Sequence, residues 1–415
     1  MFMALLTFIA CAIQGSGFPR IIALFMMGVG ILLEFNKGSG IEGISQGILL
    51  ILPLICLITL TPLLSLPLKL GGYMEAVGAL LRNLLYQPRK LFAGITTSLF
   101  ILSPVLSLGT VRIIDEFLTD LKLPSIIYAK SYLVGFTTAI MWSPYFASVS
   151  LVLYYLNMPV GNYILFGIGI SIIALIVGNI LFVVWERNHP LWENTGEKLS
   201  LKRHHRNQLM KLAIFVILVM FISLTIEYIT KWSMVVIVCL ISIAIPLASG
   251  AITKNRKSLQ SEIKVYRDKT IIMMNNEIML FTSAGLFAHA IQGTNFANII
   301  SNFLSSLASK SFLLFAIALL ALVLVVTFIG LHQIAVIAAL AMQLNAHELG
   351  ISTLSLAILL LIAWAISSAI SPFSGLNMTV SRLVGISGVH VGLRANGLHL
   401  SILAVLGVSI IMWIR

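Results

Sequence analysis

Twelve stretches of this chain are apolar for so long that each needs a non-aqueous surrounding. They fall at about 2–17, 19–35, 47–68, 91–118, 125–156, 160–185, 209–228, 232–252, 273–292, 311–343, 351–380 and 396–414. Most approach or exceed the roughly 20 residues that an α-helix needs to cross a bilayer core. Apolar residues run on continuously instead of alternating, which excludes an outer-membrane barrel. Composition agrees: 59% of residues are hydrophobic and 10% charged, with a mean hydropathy of +1.04. A soluble domain carries about a quarter charged residues, so a soluble enzyme is excluded, and so is disorder. The sequence specifies an all-α polytopic membrane protein. The expected count is about 10–11 transmembrane helices, plus the interrupted segments described below.

The net charge of +12 does not mark a nucleic-acid protein. Its basic residues gather in short gaps between spans, as in cytoplasmic loops, and form no separate basic domain. Segment 186–211 carries Arg187, Lys198, Lys202, Arg203, Arg206 and Lys211, and 253–270 carries Lys254, Arg256, Lys257, Lys264, Arg267 and Lys269. Both are expected on the cytoplasmic side, joined by two spans around Tyr228-Ile229-Thr230-Lys231, with the C-terminus outside. Arg82, Arg89 and Lys90 form a third inside patch. Cys11, Cys56 and Cys239 lie in apolar runs with no disulfide or metal spacing. No basic region of a cleavable signal precedes the first span.

Topology makes one segment conspicuous. Between Lys90 and Arg187, both assigned inside, lie three apolar stretches, and three crossings would leave the ends on opposite faces. The conflict disappears if 91–118 enters and leaves on one face. Its centre, Ser103-Pro104-Val105-Leu106-Ser107-Leu108-Gly109-Thr110, holds the proline and glycine that interrupt a helix. Broken backbone at membrane depth survives only inside protein or beside a water-filled cavity. A re-entrant hairpin follows.

The second half repeats the arrangement. Segment 311–343 is interrupted at Thr327-Phe328-Ile329-Gly330-Leu331-His332-Gln333. The long stretches 125–156 and 351–380 break at Trp142-Ser143-Pro144-Tyr145 and Ile370-Ser371-Pro372-Phe373, after the hydroxyl pairs Thr137-Thr138 and Ser367-Ser368. Interrupted segments at corresponding places point to an inverted-repeat transporter with a midplane site. The division is 1–185 as the first repeat, 186–211 as a cytoplasmic basic loop and 212–415 as the second repeat.

From about 277 to 412 the sequence resembles the ion transporter superfamily, most closely its divalent-anion:sodium symporter branch. Glu277-Ile278-Met279-Leu280-Phe281-Thr282-Ser283-Ala284-Gly285-Leu286 resembles the span before that family's second hairpin. Residues 327–347 resemble the hairpin itself. Ser371-Pro372-Phe373-Ser374-Gly375-Leu376-Asn377 resembles its unwound helix, and 103–114 and 137–148 are fainter counterparts in the first half. The resemblance implies substrate and cation sites between hairpin tips and unwound helices, moved by an elevator, usually in a homodimer. The family's Ser-Asn-Thr tips are absent here, replaced by Ser107-Leu108-Gly109-Thr110 and Gly330-Leu331-His332-Gln333, so neither sodium coupling nor dicarboxylate specificity is implied.

Broken helices aim positive N-terminal ends and free backbone donors at an anion. The expected substrate-binding residues are Ser107, Gly109, Thr110, Ser143, His332, Gln333, Ser371, Ser374 and Asn377. The plain alternative for each hydroxyl is a bond to its own helix carbonyl. His332, ionisable at membrane depth, is the candidate proton carrier, with a neutral, hydrogen-bonded imidazole as the alternative. Arg112 reads as snorkelling or paired with Asp115 and Glu116, with a contact to a substrate carboxylate as the alternative; Glu277 reads as interfacial at the cytoplasmic start of its span, and His289 as packing or interfacial. No enzyme signature, metal site or nucleotide-binding loop is present, and no cofactor is expected beyond a coupling H+ or Na+. The expectation is a multi-pass plasma-membrane secondary transporter of a small anion, most plausibly an organic carboxylate. Oxyanion efflux, sodium/proton exchange, and a lipid-handling enzyme or flippase are the alternatives.

Overall fold

The computed structural model describes residues 1–119, 123–191, 202–252 and 256–414. The middle of the basic loop 186–211 and residues 253–255 of the second basic segment lie outside the described residues. Among the described residues the regular elements are all helices, and nine are long and apolar enough to cross a membrane. A tenth is the pair Lys257–Met273 and Asn275–Ile291, bent by 57°. Residues 2–17 form a shorter apolar helix, Phe2–Gln14.

Burial sorts the helices by position. Asn275–Ile291 and Thr353–Ile370 are apolar all round and buried along almost their whole length, as central helices must be. The peripheral helices Val160–Asn188, Arg203–Thr230 and Ala395–Ile414 present Leu165, Ile217, Phe221 and Trp413 outward, a surface suited to lipid. In lipid, helix packing depends on close contact rather than on expelling water, and small residues permit it. A Cβ on Gly47 would lie 3.0 Å from the Leu286 Cα, and one on Gly285 would collide with the Ile51 side chain. These two contacts let Asn275–Ile291 pack closely on Gly40–Leu60.

Two buried carboxylates fasten the frame. Glu34, fully buried, takes Ser39 Oγ at 2.5 Å, His289 Nδ1 at 2.8 Å and Lys37 Nζ at 3.2 Å. His289 therefore locks the end of the central helix to the second one. Glu227 accepts from the backbone N–H groups of Val160 and Gly161 at 3.0 and 3.1 Å, placing negative charge where helix Val160–Asn188 has unpaired donors and a positive dipole end.

The interrupted segments break at the expected places. Pro88–Leu106 runs through Pro104 and ends at Ser107, whose φ of +50° turns the chain into Gly109–Leu118. Phe312–Ile329 ends at Gly330, and Gln333–Gln343 follows. The φ of +120° at Gly330 is open to glycine and costly for any residue with a Cβ. In each of these pairs the two consecutive helices contact one another. The stretch 125–156 comprises Ser125–Ala139 and Ala147–Tyr155, and 351–380 falls within Thr353–Ile370 and Gly375–Val384. The halves interlock through these short pieces: Gln333–Gln343 packs on Ala147–Tyr155, and Gly375–Val384 packs on Gly109–Leu118 and Ser125–Ala139.

Candidate functional site

One cavity of about 170 Å3 lies where both hairpin tips meet both helix breaks. Ser107 and Leu108 enter from the first tip, and His332 and Gln333 from the second. Ile140, Tyr145 and Ser148 come from the first break, and Ser368, Gly375 and Leu376 from the second. The helices beginning at Ala147, Gln333 and Gly375 all start at its wall, so three positive half-helix ends converge there. Most of the remaining lining is apolar, including Phe136, Phe146, Phe281 and Trp364.

Several lining hydroxyls are already committed. Ser148 Oγ donates to Ile140 O at 2.6 Å and Ser368 Oγ to Trp364 O at 2.7 Å. Thr61 donates to the Leu57 carbonyl, and Tyr145 Oη shares a 2.5 Å bond with Ser223 Oγ. The side chains of Ser107, Gln333 and Glu277 have no hydrogen-bond partner among the described residues. His332 Nδ1 accepts from the Ile334 N–H at 3.3 Å. In a neutral ring that leaves the proton on Nε2 as a donor.

Glu277 is the carboxylate that the sequence reading missed. Hydropathy put it at the cytoplasmic start of a span, as an interfacial residue, yet the chain bends by 57° at Met274 and Glu277 lines the cavity. Arg112, on the second arm of the first hairpin, is within Coulombic range of it. Arg112 forms no ion pair with Asp115 or Glu116 among the described residues; Asp115 instead takes the Tyr132 hydroxyl at 2.9 Å.

The expected site residues therefore divide. Ser107, His332 and Gln333 share the cavity. Gly109 faces a separate recess beside Lys69 and Glu262. Thr110 is fully buried behind the tip, and its hydroxyl is unpartnered. Ser143 Oγ accepts from the Tyr145 N–H at 3.3 Å, within its own break. Ser371 Oγ donates to Thr327 O at 2.8 Å, across to the second hairpin. Ser374 Oγ donates to Ser368 O at 2.5 Å and accepts from the Asn377 N–H at 3.0 Å. Asn377 Nδ2 donates to Ala369 O and Gly388 O at 2.6 and 2.9 Å. The bonds to Ser368 O and Ala369 O satisfy carbonyls at the second break, as broken backbone in a membrane requires.

The fold is shared with solved transporters at low sequence identity. The YdaH transporter of Alcanivorax borkumensis, described as having an unusual topology, superposes with a TM-score of 0.58 at 13% identity, over 95% of this chain and 98% of that one. Neisseria gonorrhoeae MtrF, described within a class of antimetabolite efflux pumps, superposes with a TM-score of 0.55 at 11% identity, over 91% and 84%. No curated protein matches the sequence. Residues 136–412 match the family model of the tripartite ATP-independent periplasmic transporter, DctM component. That match spans well over half of the chain, which therefore belongs to the DctM family and is a membrane-embedded transporter component, not an enzyme.

Proposed function

We propose that this chain is the permease of a secondary transporter and moves a small organic carboxylate, driven by a co-transported cation. The observation that carries this reading is the single cavity joining two hairpin tips and two helix breaks. Converging half-helix N-termini favour a carboxylate group, and Ser107, Gln333 and His332 supply side-chain donors to it. The aromatic wall favours a substrate with an apolar body over a polyhydroxylated one. The architectural resemblance to the divalent-anion:sodium symporters supports an inverted repeat. Each hairpin with its neighbouring broken helix would move as an elevator past the frame built on Gly17–Asn36 and Gly40–Leu60, with both basic segments cytoplasmic.

Coupling by a proton is the first reading, through His332 and Glu277, which both line the cavity. A carboxylate substrate entering beside Glu277 repels it unless a positive charge arrives too. Sodium is the second reading, because Ser103 and Thr110 keep buried, unpartnered hydroxyl oxygens on the two arms of the first hairpin. The homodimer expected from the earlier resemblance is not carried forward. The family description is tripartite, and two further components are the partners implied. Uptake of radiolabelled carboxylates into proteoliposomes under separate proton and sodium gradients tests the proposal. Concentrative uptake of a monocarboxylate with an apolar body under one gradient is expected. Failure of every carboxylate under both gradients, with the partner components supplied, overturns it.

A further inference from the structure

Away from the transport cavity, a smaller recess of about 80 Å3 opens between Pro88–Leu106, Ser125–Ala139, Val160–Asn188 and Ala395–Ile414. Two of its walls are chemically incomplete. His399 is 5% exposed, and neither of its ring nitrogens has a hydrogen-bond partner among the described residues. An imidazole always carries at least one N–H that needs an acceptor, and a buried polar group is ordinarily satisfied. Beside it the half-buried Lys130 Nζ spends one donor on Ala395 O at 2.6 Å and lies 5.4 Å from the centre of the Trp185 ring. Among the described residues no carboxylate comes within 4.0 Å of that ammonium, so beyond the Ala395 carbonyl and the Trp185 ring its charge has no anionic partner. Buried cations are ordinarily paired.

A guest that completes both groups must be anionic and offer several acceptor oxygens. The recess also has a direction. Leu398, 67% exposed, forms its rim on the lipid-facing side, and the stacked pair Phe92–Phe182, with ring centres 4.0 Å apart, forms an apolar wall. One turn away, Arg89 pairs with Glu186 at 2.8 Å, and Lys90 and Arg187 extend the same basic end of the bundle. An aromatic ring at such an end is characteristic of the membrane interface.

We propose that this recess binds a phosphate group, with Lys130 and His399 as its ligands, and that the phosphate is the headgroup of an anionic phospholipid entering past Leu398. Basic pockets between helices at a cytoplasmic face suit such headgroups. A free inorganic phosphate offers the same oxygens without the acyl chains, so the test separates the two sources.

The experiment uses the full chain in nanodiscs of phosphatidylcholine, with and without phosphatidylglycerol. Bound lipid is counted by native mass spectrometry after gentle release, and stability is followed by thermal unfolding. The wild type is expected to retain one phosphatidylglycerol and to unfold at higher temperature when it is present. Lys130→Met and His399→Phe should each weaken retention by roughly tenfold or more, the loss of a charge-assisted or buried hydrogen bond. Lys130→Arg should keep it, and Lys90→Met should leave it unchanged, which separates the recess from the general basic rim. Stabilisation by inorganic phosphate in pure phosphatidylcholine, equal to that by phosphatidylglycerol and lost in Lys130→Met, keeps the phosphate site and overturns the lipid assignment. Retention that is absent in the wild type, or unchanged in both Lys130→Met and His399→Phe, overturns the proposal. If Lys130→Met does not fold, the comparison of His399→Phe with the wild type decides.

Discussion

Ser371 Oγ donates a 2.8 Å hydrogen bond to the carbonyl of Thr327, tying the second helix break to the last turn of the first arm of the second hairpin. Both groups are buried. The bond bridges residues 44 apart in sequence and joins the two elements directly.

Ser371→Ala leaves the Thr327 carbonyl without that donor. Losing such a bond in a buried setting costs about 1 kcal/mol. The expected outcome is a modest fall in thermal stability with a larger fall in transport rate, because the hairpin tip is no longer held in register with the cavity. Unfolding and initial uptake, measured on one preparation, check both halves.

Asn377 is a more demanding position. Its amide serves two carbonyls, Ala369 O and Gly388 O, from a site with no exposure. Asn377→Leu removes the side-chain donor from both, and Asn377→Asp replaces the donor with an acceptor. Each buried loss costs about 1–3 kcal/mol, so both variants are expected to express poorly and unfold early. If Asn377→Asp folds normally and only substrate affinity changes, the side chain serves the substrate and not the backbone.

Gly330 turns the second hairpin at a φ of +120°, where a Cβ would also come 2.7 Å from the Phe18 ring. That ring stacks on Phe373 at 4.3 Å, so the strain would pass directly to the second break. Gly330→Ala is expected to cost about 1–3 kcal/mol through backbone strain alone. Circular dichroism should stay helical while the thermal midpoint falls. An unchanged midpoint would mean that the tip relaxes without cost.

The breaks were legible because their causes are local: a proline, a glycine and a run of small polar residues are visible without any fold. The interruptions near Ser107, Ser143, Gly330 and Ser371 could therefore be placed from sequence. The division of labour among the polar residues was not legible, because it depends on which carbonyls the breaks expose. Ser143, Ser371, Ser374 and Asn377 carry the same chemistry as ligands, and only the fold shows them satisfying backbone. Glu277 escaped for a different reason. Hydropathy reports how far a residue lies along a segment, and a 57° bend at the start of that segment changes which way it faces. The bend lies at Met274, between two asparagines and two apolar residues, with no proline or glycine to announce it.

The last prediction separates the two ionisable residues of the cavity. Glu277 and His332 both line the cavity, and a carboxylate substrate bound there would meet both. At an effective dielectric of about 20, two like unit charges about 6 Å apart repel by about 3 kcal/mol. Binding to the charged form of Glu277 is opposed on that scale, and binding to the protonated form is not. Substrate affinity should therefore strengthen as protons become available, and the substrate should carry a proton with it. Glu277→Gln is permanently neutral and should bind substrate with an affinity insensitive to pH. It should keep substrate exchange, which needs no net proton movement, and lose accumulation driven by a pH gradient. His332→Gln keeps a donor at the tip but cannot take up a proton. If His332 is the carrier, that variant shows the same pattern; if it is a positioned neutral donor, accumulation survives. Counterflow and gradient-driven uptake measured side by side decide the matter. Concentrative uptake under a pH gradient in both variants would remove Glu277 and His332 as proton carriers; a wild type that accumulates substrate under a sodium gradient alone would leave sodium as the driving ion.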